Sequence, residues 1–415
     1  MSNFFSKHIK GDIWIWLIIV FLSLASLLAV YSSTSTLAYK QHGGDTWFYL
    51  FRHASLLGVG YIIIFIIHRI PYRWYSKLTV LLLYLSIILL IYTLASGVNL
   101  NHAARWIRIG GFTFQSSDVA KLALFLYIAR YLSQNQDKIK DFKKGFRPIL
   151  IWIFLICGLI LPANFSTAAM VFVISMIMLF LGRARSTHIM LTVGTIIAIA
   201  ILAFFIAQNT PQIRNIGRVG TWISRIENFF KDEDEVKDSK YYQDANYQAN
   251  QAKIAIATGG FFGKGPGKST QRNFLPHPYS DFIYAIIVEE YGMFGSLFIM
   301  SLYILLLYRA KRIVEKAKHK FAAFSALGLS LWLSFQGLIN MAVATSLFPV
   351  TGQTLPFLSM GGSSILITAT AFGIILSVSR DSINEEYELV DVKIDDDNDN
   401  DEDNTGSDNN DETDS

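Results

Sequence analysis

One cysteine, Cys157, stands among 415 residues. A lone thiol excludes any disulfide framework and any paired-cysteine metal site within one chain. Charge is scarce as well. Asp, Glu, Lys and Arg make up 16% of the chain against 52% hydrophobic residues, where an ordinary soluble domain carries about 25% charged residues. That is too little charge to cover a water-facing surface, so a single soluble domain is excluded. Nor is the charge spread evenly. From residue 381 to the end there are 16 acidic residues and one base, Lys393, so the preceding residues hold 35 of the 36 Lys and Arg against 16 Asp and Glu. Such a basic body suits an integral membrane protein whose inner loops face anionic lipid. Nucleic acid suits it less, because the bases fall in short clusters between apolar stretches.

Those stretches are what the chain has in quantity. Residues 13–31, 61–67, 78–94, 149–161 and 168–181 are nearly free of charge, and their lengths suit a bilayer rather than a buried core. The expected fold is an all-α polytopic membrane protein of about ten transmembrane helices, over 13–33, 47–67, 76–95, 117–133, 148–162, 166–182, 188–207, 281–308, 322–345 and 363–379. The first block is longer than the roughly 7–15 apolar residues of a cleaved signal and is read as a retained helix. With the N-terminus inside, 20 of the bases fall in inner segments, which predicts that both termini are cytoplasmic. The division expected is a membrane domain over 1–380 and an acidic tail over 381–415. Residues 395–415 are almost wholly Asp, Asn, Glu, Ser and Thr and cannot bury enough apolar area to offset their ordering entropy, so disorder is expected there. One large extracytoplasmic loop, 208–280, separates the seventh and eighth helices. It is expected to hold an amphipathic helix around 222–230 and to close in a glycine-rich turn at 259–267.

Several motifs could carry chemistry. Gly263-Lys-Gly-Pro-Gly-Lys-Ser269 invites comparison with a phosphate-binding loop, but that pattern requires glycine where Phe262 stands, and no strand precedes it. A tight turn before a helix is the better reading. Pro276-His277-Pro278-Tyr279-Ser280-Asp281 directly precedes the eighth span. Ser280 would cap the helix and Asp281 would lie in its first turn, favoured there by the macrodipole; equally, a carboxylate at the membrane boundary can act as general base on a lipid-borne hydroxyl. Glu289 and Glu290, two turns deeper, cannot face lipid cheaply, so at least one should meet a cavity or a basic partner. Lys121 lies mid-helix, where a charge costs about 2.5–3.5 kcal/mol on insertion scales. Asp118 three residues earlier offers a local partner; otherwise the cation faces a cavity and binds an anionic group, with Arg105 and Arg108 near the same boundary. Finally, residues 349–364 join the last two spans with two prolines and three glycines, and with Ser359 and Ser363 among their hydroxyls. Non-helical backbone at membrane depth is tolerated only where protein or a polar cavity satisfies it, so a re-entrant loop lining a substrate cavity is expected.

Taken together over about residues 13–380, these motifs resemble the SEDS family (shape, elongation, division and sporulation) of membrane peptidoglycan polymerases. The likeness rests on Arg105-Trp106, Gln115-Ser-Ser-Asp118 with Lys121, Gly259-Gly260 through Gly267, Leu275-Pro276 with Asp281-Phe-Ile, Glu289-Glu290-Tyr-Gly292, and 349–364 after Asn340. The resemblance implies glycosyl transfer on lipid II, the undecaprenyl-pyrophosphate-linked disaccharide pentapeptide. Asp281 matches the family's essential aspartate, as general base on the acceptor 4-hydroxyl in an inverting attack. Lys121, Arg105, Asp118, Glu289, Glu290, Ser359 and Ser363 would bind substrate, the cations stabilising the pyrophosphate that leaves. No cofactor is firmly implied; a divalent cation such as Mg or Mn suits pyrophosphate, though no ligand cluster announces one. The implied partner is a class B penicillin-binding protein, a transpeptidase, alongside other division proteins in the bacterial cytoplasmic membrane. Thr354-Leu-Pro356 resembles the division branch. The sequence departs from the family where Tyr279 and Ser280 replace a histidine and threonine and where Asn164 replaces a carboxylate. Two other readings use the same residues: a lipid II flippase, which needs no base at the outer boundary, and a non-catalytic division scaffold.

Overall fold

The computed structural model describes residues 10–100, 103–109, 112–210, 240–276 and 278–382, with isolated positions between 211 and 239. The acidic tail, His277 and nearly all of the helix expected at 222–230 lie outside the described residues. Ten helices coincide with the expected spans: α1 (Ile13–Ser33), α3 (Thr46–Ile67), α4 (Tyr72–Ser96), α5 (Ser116–Gln134), α6 (Arg147–Ile160), α7 (Phe165–Leu181), α8 (Ser186–Asn209), α10 (Ile283–Lys316), α11 (Lys320–Ala344) and α12 (Gly362–Ser382). Seven of these are long and apolar enough to cross a membrane. The other three are α6 and α7, which are short, and α5, which carries Asp118, Lys121 and Arg130.

Side-chain caps set several of the starts. Asp12 accepts from Trp14 N at 2.9 Å to begin α1, Asp45 accepts from Trp47 N at 3.0 Å to begin α3, and Asn164 accepts from Thr167 N at 3.3 Å to begin α7. Each satisfies an amide that the helix itself leaves orphaned. The second oxygen of Asp12 takes Arg309 Nε at 2.7 Å, tying the first turn of α1 to the far end of α10. At the centre of the fold, α11 packs against α5 and α10, and about two thirds of its apolar stretch is buried. By contrast α8 buries only Ala207, so its apolar surface is left for lipid.

Three features between the expected spans were not expected. A short helix, α2 (Ser35–His42), follows α1. Strands β1 (Val98–Leu100), β2 (Ala103–Ile109) and β3 (Phe112–Gln115) form an antiparallel sheet in the order β1-β2-β3, with Trp106 opposite Gln115. Helix α9 (Lys240–Gly259) packs on α10 and buries Ala252 and Ala255.

α10 is broken at Gly292, which takes φ 65° and ψ −159°. A break frees backbone groups that a membrane interior cannot hydrate. The glycine-rich turn after α9 supplies their partners: Lys264 N donates to Glu289 O and Gly265 N to Glu290 O, each at 2.9 Å, and Met293 N donates to Gly260 O at 3.0 Å. This fit has no room for a side chain, since a Cβ on Gly292 would lie 2.3 Å from Phe261 O. Replacing Gly292 by Ala should therefore lower the melting temperature of the detergent-solubilised protein, by about 2 kcal/mol or more of stability, because left-handed backbone costs a non-glycine residue ~1–3 kcal/mol before any clash. Gly158→Ala, in α6 where nothing lies within 4 Å of the added methyl, should leave it unchanged or raise it.

Candidate active site

The stretch between α11 and α12 is irregular over 345–361 and buried over most of 351–359. Its carbonyls are taken one after another by side chains of three surrounding helices. From α11, Asn340 Nδ2 donates to Gln353 O at 2.7 Å and Gln336 Nε2 to Thr354 O at 2.9 Å. Tyr303 of α10 donates to Pro356 O, and Ser26 of α1 to Leu358 O, both at 2.6 Å. This is the re-entrant loop expected from the sequence, with its polar backbone satisfied by protein.

The same loop fixes Asp281. Asn340 Nδ2 also donates to Asp281 O at 2.8 Å. Ser359 Oγ donates to Ser280 O at 2.6 Å while accepting from Leu355 N at 2.8 Å. Met360 N donates to Tyr279 O at 2.9 Å. These contacts hold residues 279–281 as a turn paired with the loop, which corrects the capping role expected of Ser280. α10 starts at Ile283 with Phe282 at its N-cap, and Asp281 precedes the first helical turn. Its carboxylate accepts from Ser280 Oγ at 3.0 Å and lies over Gly352, whose positive φ of 64° presents bare backbone to it. Burial, followed by the nearby Tyr49 and Asp281, raises the Tyr279 phenol above its ordinary value, so it stands neutral beside the carboxylate.

Asp281 opens into a cavity of about 450 Å³ whose wall includes Arg105, Asp118, Lys121, Asn164, Gln336 and Gln353. Lys121 is 4% exposed. It pairs with Asp118 at 2.8 Å, donates to Gln336 Oε1 at 3.1 Å and sits 5.0 Å from the Trp332 ring centroid. Both alternatives raised for Lys121 are thus realised: the local partner is present and the cation lines a cavity. An ammonium has three N–H donors, and these two hydrogen bonds leave one. Arg105 reaches the cavity from β2, its Nε donating to Ala163 O at 2.8 Å. Arg108 is exposed and absent from the wall.

Ser363 and Ser359 support the cavity from behind. Ser363 Oγ accepts from Gln115 N at 3.2 Å, while its neighbour Ser364 lines the space. Glu289 and Glu290 stand elsewhere and do not line this cavity. Thr270 N and Gln271 N donate to the two oxygens of Glu289 at 3.1 and 3.2 Å, and Lys264 Nζ reaches it at 2.6 Å. Glu290 accepts from Ser269 N at 3.2 Å and from Ser32 Oγ. The segment that invited a phosphate-loop reading is therefore an anion cradle, and its anion is the chain's own pair of glutamates.

Sequence reasoning missed Gln353. It is buried, lines the cavity, and neither its Oε1 nor its Nε2 has a hydrogen-bond partner. An unsatisfied buried amide is costly unless a ligand completes it. No pattern of charge marks a glutamine in this way. Among the described residues no group of three or more His, Cys, Asp or Glu side chains is assembled that could hold a metal ion.

A bundle of membrane helices around a loop-lined cavity of ionisable residues defines a polytopic membrane protein with an internal polar site. Its family follows from comparison. The profile of the FtsW, RodA and SpoVE cell cycle proteins matches residues 13–384, and the chain belongs to that family. A probable peptidoglycan glycosyltransferase FtsW of Trichlorobacter lovleyi is 33% identical over 373 residues, covering 89% of this chain and 93% of its own. Among solved structures, the rod shape determining protein RodA of Thermus thermophilus superposes with a TM-score of 0.63 at 23% identity, over 90% of this chain and 97% of its own. A chain of a peptidoglycan synthase complex that coordinates polymerization and crosslinking gives a TM-score of 0.66 at 24% identity, over 90% and 98%. At these identities the two structures speak for the fold.

The buried pair yields a stability prediction. Lys121→Ala strands the Asp118 charge and should cost about 3–5 kcal/mol, as breaking a buried ion pair does. Lys121→Met combined with Asp118→Leu should recover most of the loss, and thermal unfolding in detergent would read both.

Proposed function

We propose that this glycosyltransferase of cell-wall synthesis polymerises lipid II into glycan strands at the outer face of the bacterial cytoplasmic membrane during cell division, with Asp281 as its general base. One observation carries the reading: a single cavity holds Asp281 together with Arg105 and Lys121. Lipid II carries its own leaving group, so the chemistry needs a base at the attacking hydroxyl and cations at the departing pyrophosphate. In the reaction the 4-hydroxyl oxygen of one sugar bonds to C1 of the other, with inversion. The C1–oxygen bond to pyrophosphate breaks, and the hydroxyl proton passes to Asp281. Arg105 and the remaining N–H of Lys121 stabilise the charge that develops on the phosphate. Asp118 holds Lys121 in place, and Ser359 and Ser363 hold the cavity wall rather than the substrate. Gln353 completes its hydrogen bonds on substrate polar groups. A divalent cation accompanying pyrophosphate would meet Asp281 as the wall carboxylate not already paired with Lys121.

With both termini inside the cell, as the distribution of Lys and Arg favours, the cavity faces outward, where lipid II is consumed. The crosslinking partner of the synthase complex that resembles this fold supports a class B penicillin-binding protein as partner here, at the division septum.

The test is glycan-chain formation from purified lipid II by the full chain with its transpeptidase. Asp281→Asn keeps the backbone contacts that fix this residue and should abolish polymer, with insertion and melting temperature unchanged. Polymer from that variant would remove Asp281 from the chemistry; a variant that makes none yet still moves lipid II across vesicles would retain transport and lose only polymerisation. Lys121→Ala should raise KM for lipid II. Gln353→Leu, which breaks no hydrogen bond within the protein, should lower polymerisation about tenfold, in line with ~1–1.5 kcal/mol for one lost hydrogen bond, without a fall in melting temperature.

A further inference from the structure

On the face where α4 and α11 begin and α5 ends, a second cavity of about 630 Å³ opens to solvent. Arg73 and Lys77 of α4, Arg130 of α5, and Lys318, His319 and Lys320 around the start of α11 line it, and among the described residues no Asp or Glu does. The contacts recorded for two of these cations leave the charge uncompensated: Arg130 donates to Ser76 O at 2.7 Å and to Thr79 Oγ1 at 3.3 Å, and Lys77 lies 5.2 Å from the Trp74 ring centroid. Two helix N-termini add to the positive potential. Pro71 and His319 stand at the N-caps of α4 and α11 without a side-chain cap bond, and orphaned amides at a helix start favour an anion. None of the residues assigned to glycosyl transfer is here.

The same face is where α12 delivers the chain's acidic end. Arg380 donates through NH1 to His68 O at 2.9 Å and to Arg69 O at 2.8 Å, a few residues before Tyr72 and Arg73 of the cavity. After Ser382 the sequence runs Ile383-Asn-Glu385-Glu386-Tyr387-Glu388. Six residues span up to about 20 Å when extended. Every charged residue from 381 on is acidic but for one lysine, the charge opposite to that of the cavity.

We infer that the basic cavity is the docking site of this chain's own segment 385–388, whose glutamates neutralise the cationic ends of α4, α5 and α11 and bind them to the end of α12. Tethering sets the local concentration of the segment at about 1 mM or above, as short linkers do, which favours it over a free anion of the same charge. The bond is electrostatic and solvent-facing, so it weakens as salt shortens the screening length.

The test uses the full chain in uncharged phosphatidylcholine nanodiscs, with spin labels at Gln134→Cys, on the cavity rim, and Tyr387→Cys, after Cys157→Ala. The expected result is one narrow distance at low salt. It should broaden in 1 M NaCl and with Glu385→Lys, Glu386→Lys and Glu388→Lys together, and return when Arg73→Glu and Lys77→Glu are added to those three. A broad distribution at low salt, or a narrow one indifferent to charge reversal, overturns the inference. A second readout decides between occupants. Phosphatidylglycerol retained on purification should rise several-fold when the chain is cut after residue 382; equal retention by the full and cut chains assigns the cavity to lipid and also overturns it.

Discussion

Irregular backbone inside a membrane has no water to bond to, and the protein must answer for every amide and carbonyl it leaves open. In this fold the obligation falls on the segment between α11 and α12. Its carbonyls are met by Asn340, Gln336, Tyr303 and Ser26, four side chains from three helices. Meeting them draws α1, α10 and α11 to one place. The helices cannot shift independently without abandoning a buried carbonyl, a loss of about 1–3 kcal/mol for each group left unsatisfied. The cavity is the space that this arrangement encloses, and Asp281 is positioned as part of the same accounting, through its own carbonyl and those of the two residues before it.

A second break repeats the solution with different means. At Gly292 the unsatisfied groups belong to a helix, and the partners are backbone amides of the turn after α9 rather than side chains. Glu289 and Glu290 then secure that turn by accepting from residues 264–271 and from Ser32. The two carboxylates compensate for their burial with amides, hydroxyls and one ammonium, and the segment between α8 and α10 gains a fixed attachment to the helix bundle.

What the sequence made legible follows the same physics. The helices could be read because lipid demands long uncharged runs; a helix lies at each of the ten expected stretches, and seven of these are long and apolar enough to cross a membrane. Lys121 and Asp281 stood out because an ionisable group at or inside the membrane boundary needs a reason. The re-entrant loop was readable from proline and glycine where a helix should have continued. Gln336, Asn340 and Gln353 were not, since a neutral amide in an apolar helix or loop carries no sign of what it will bond. Helix α9 was hidden for a related cause: residues 240–259 are too polar on average to read as a span, and the side chains it buries, Ala252 and Ala255, are small. The surroundings of Glu289 and Glu290 show the limit most clearly. Burial of both was foreseeable, but the donors to Glu289 lie 18 to 25 residues away in sequence and Ser32, a donor to Glu290, lies 258 away, so only the fold brings them together.

The manner in which Asp281 is held has an effect at the level of the cell. Its location is registered by main-chain atoms, Asp281 O, Ser280 O and Tyr279 O, so the identity of its side chain contributes little to how the protein folds or inserts. With Asp281 as the general base proposed above, substitutions there would yield full-length, inserted and inert copies, able to occupy any partner of the working ones. In a population of cells carrying both versions, such copies would act by competition, and their harm would grow with their abundance.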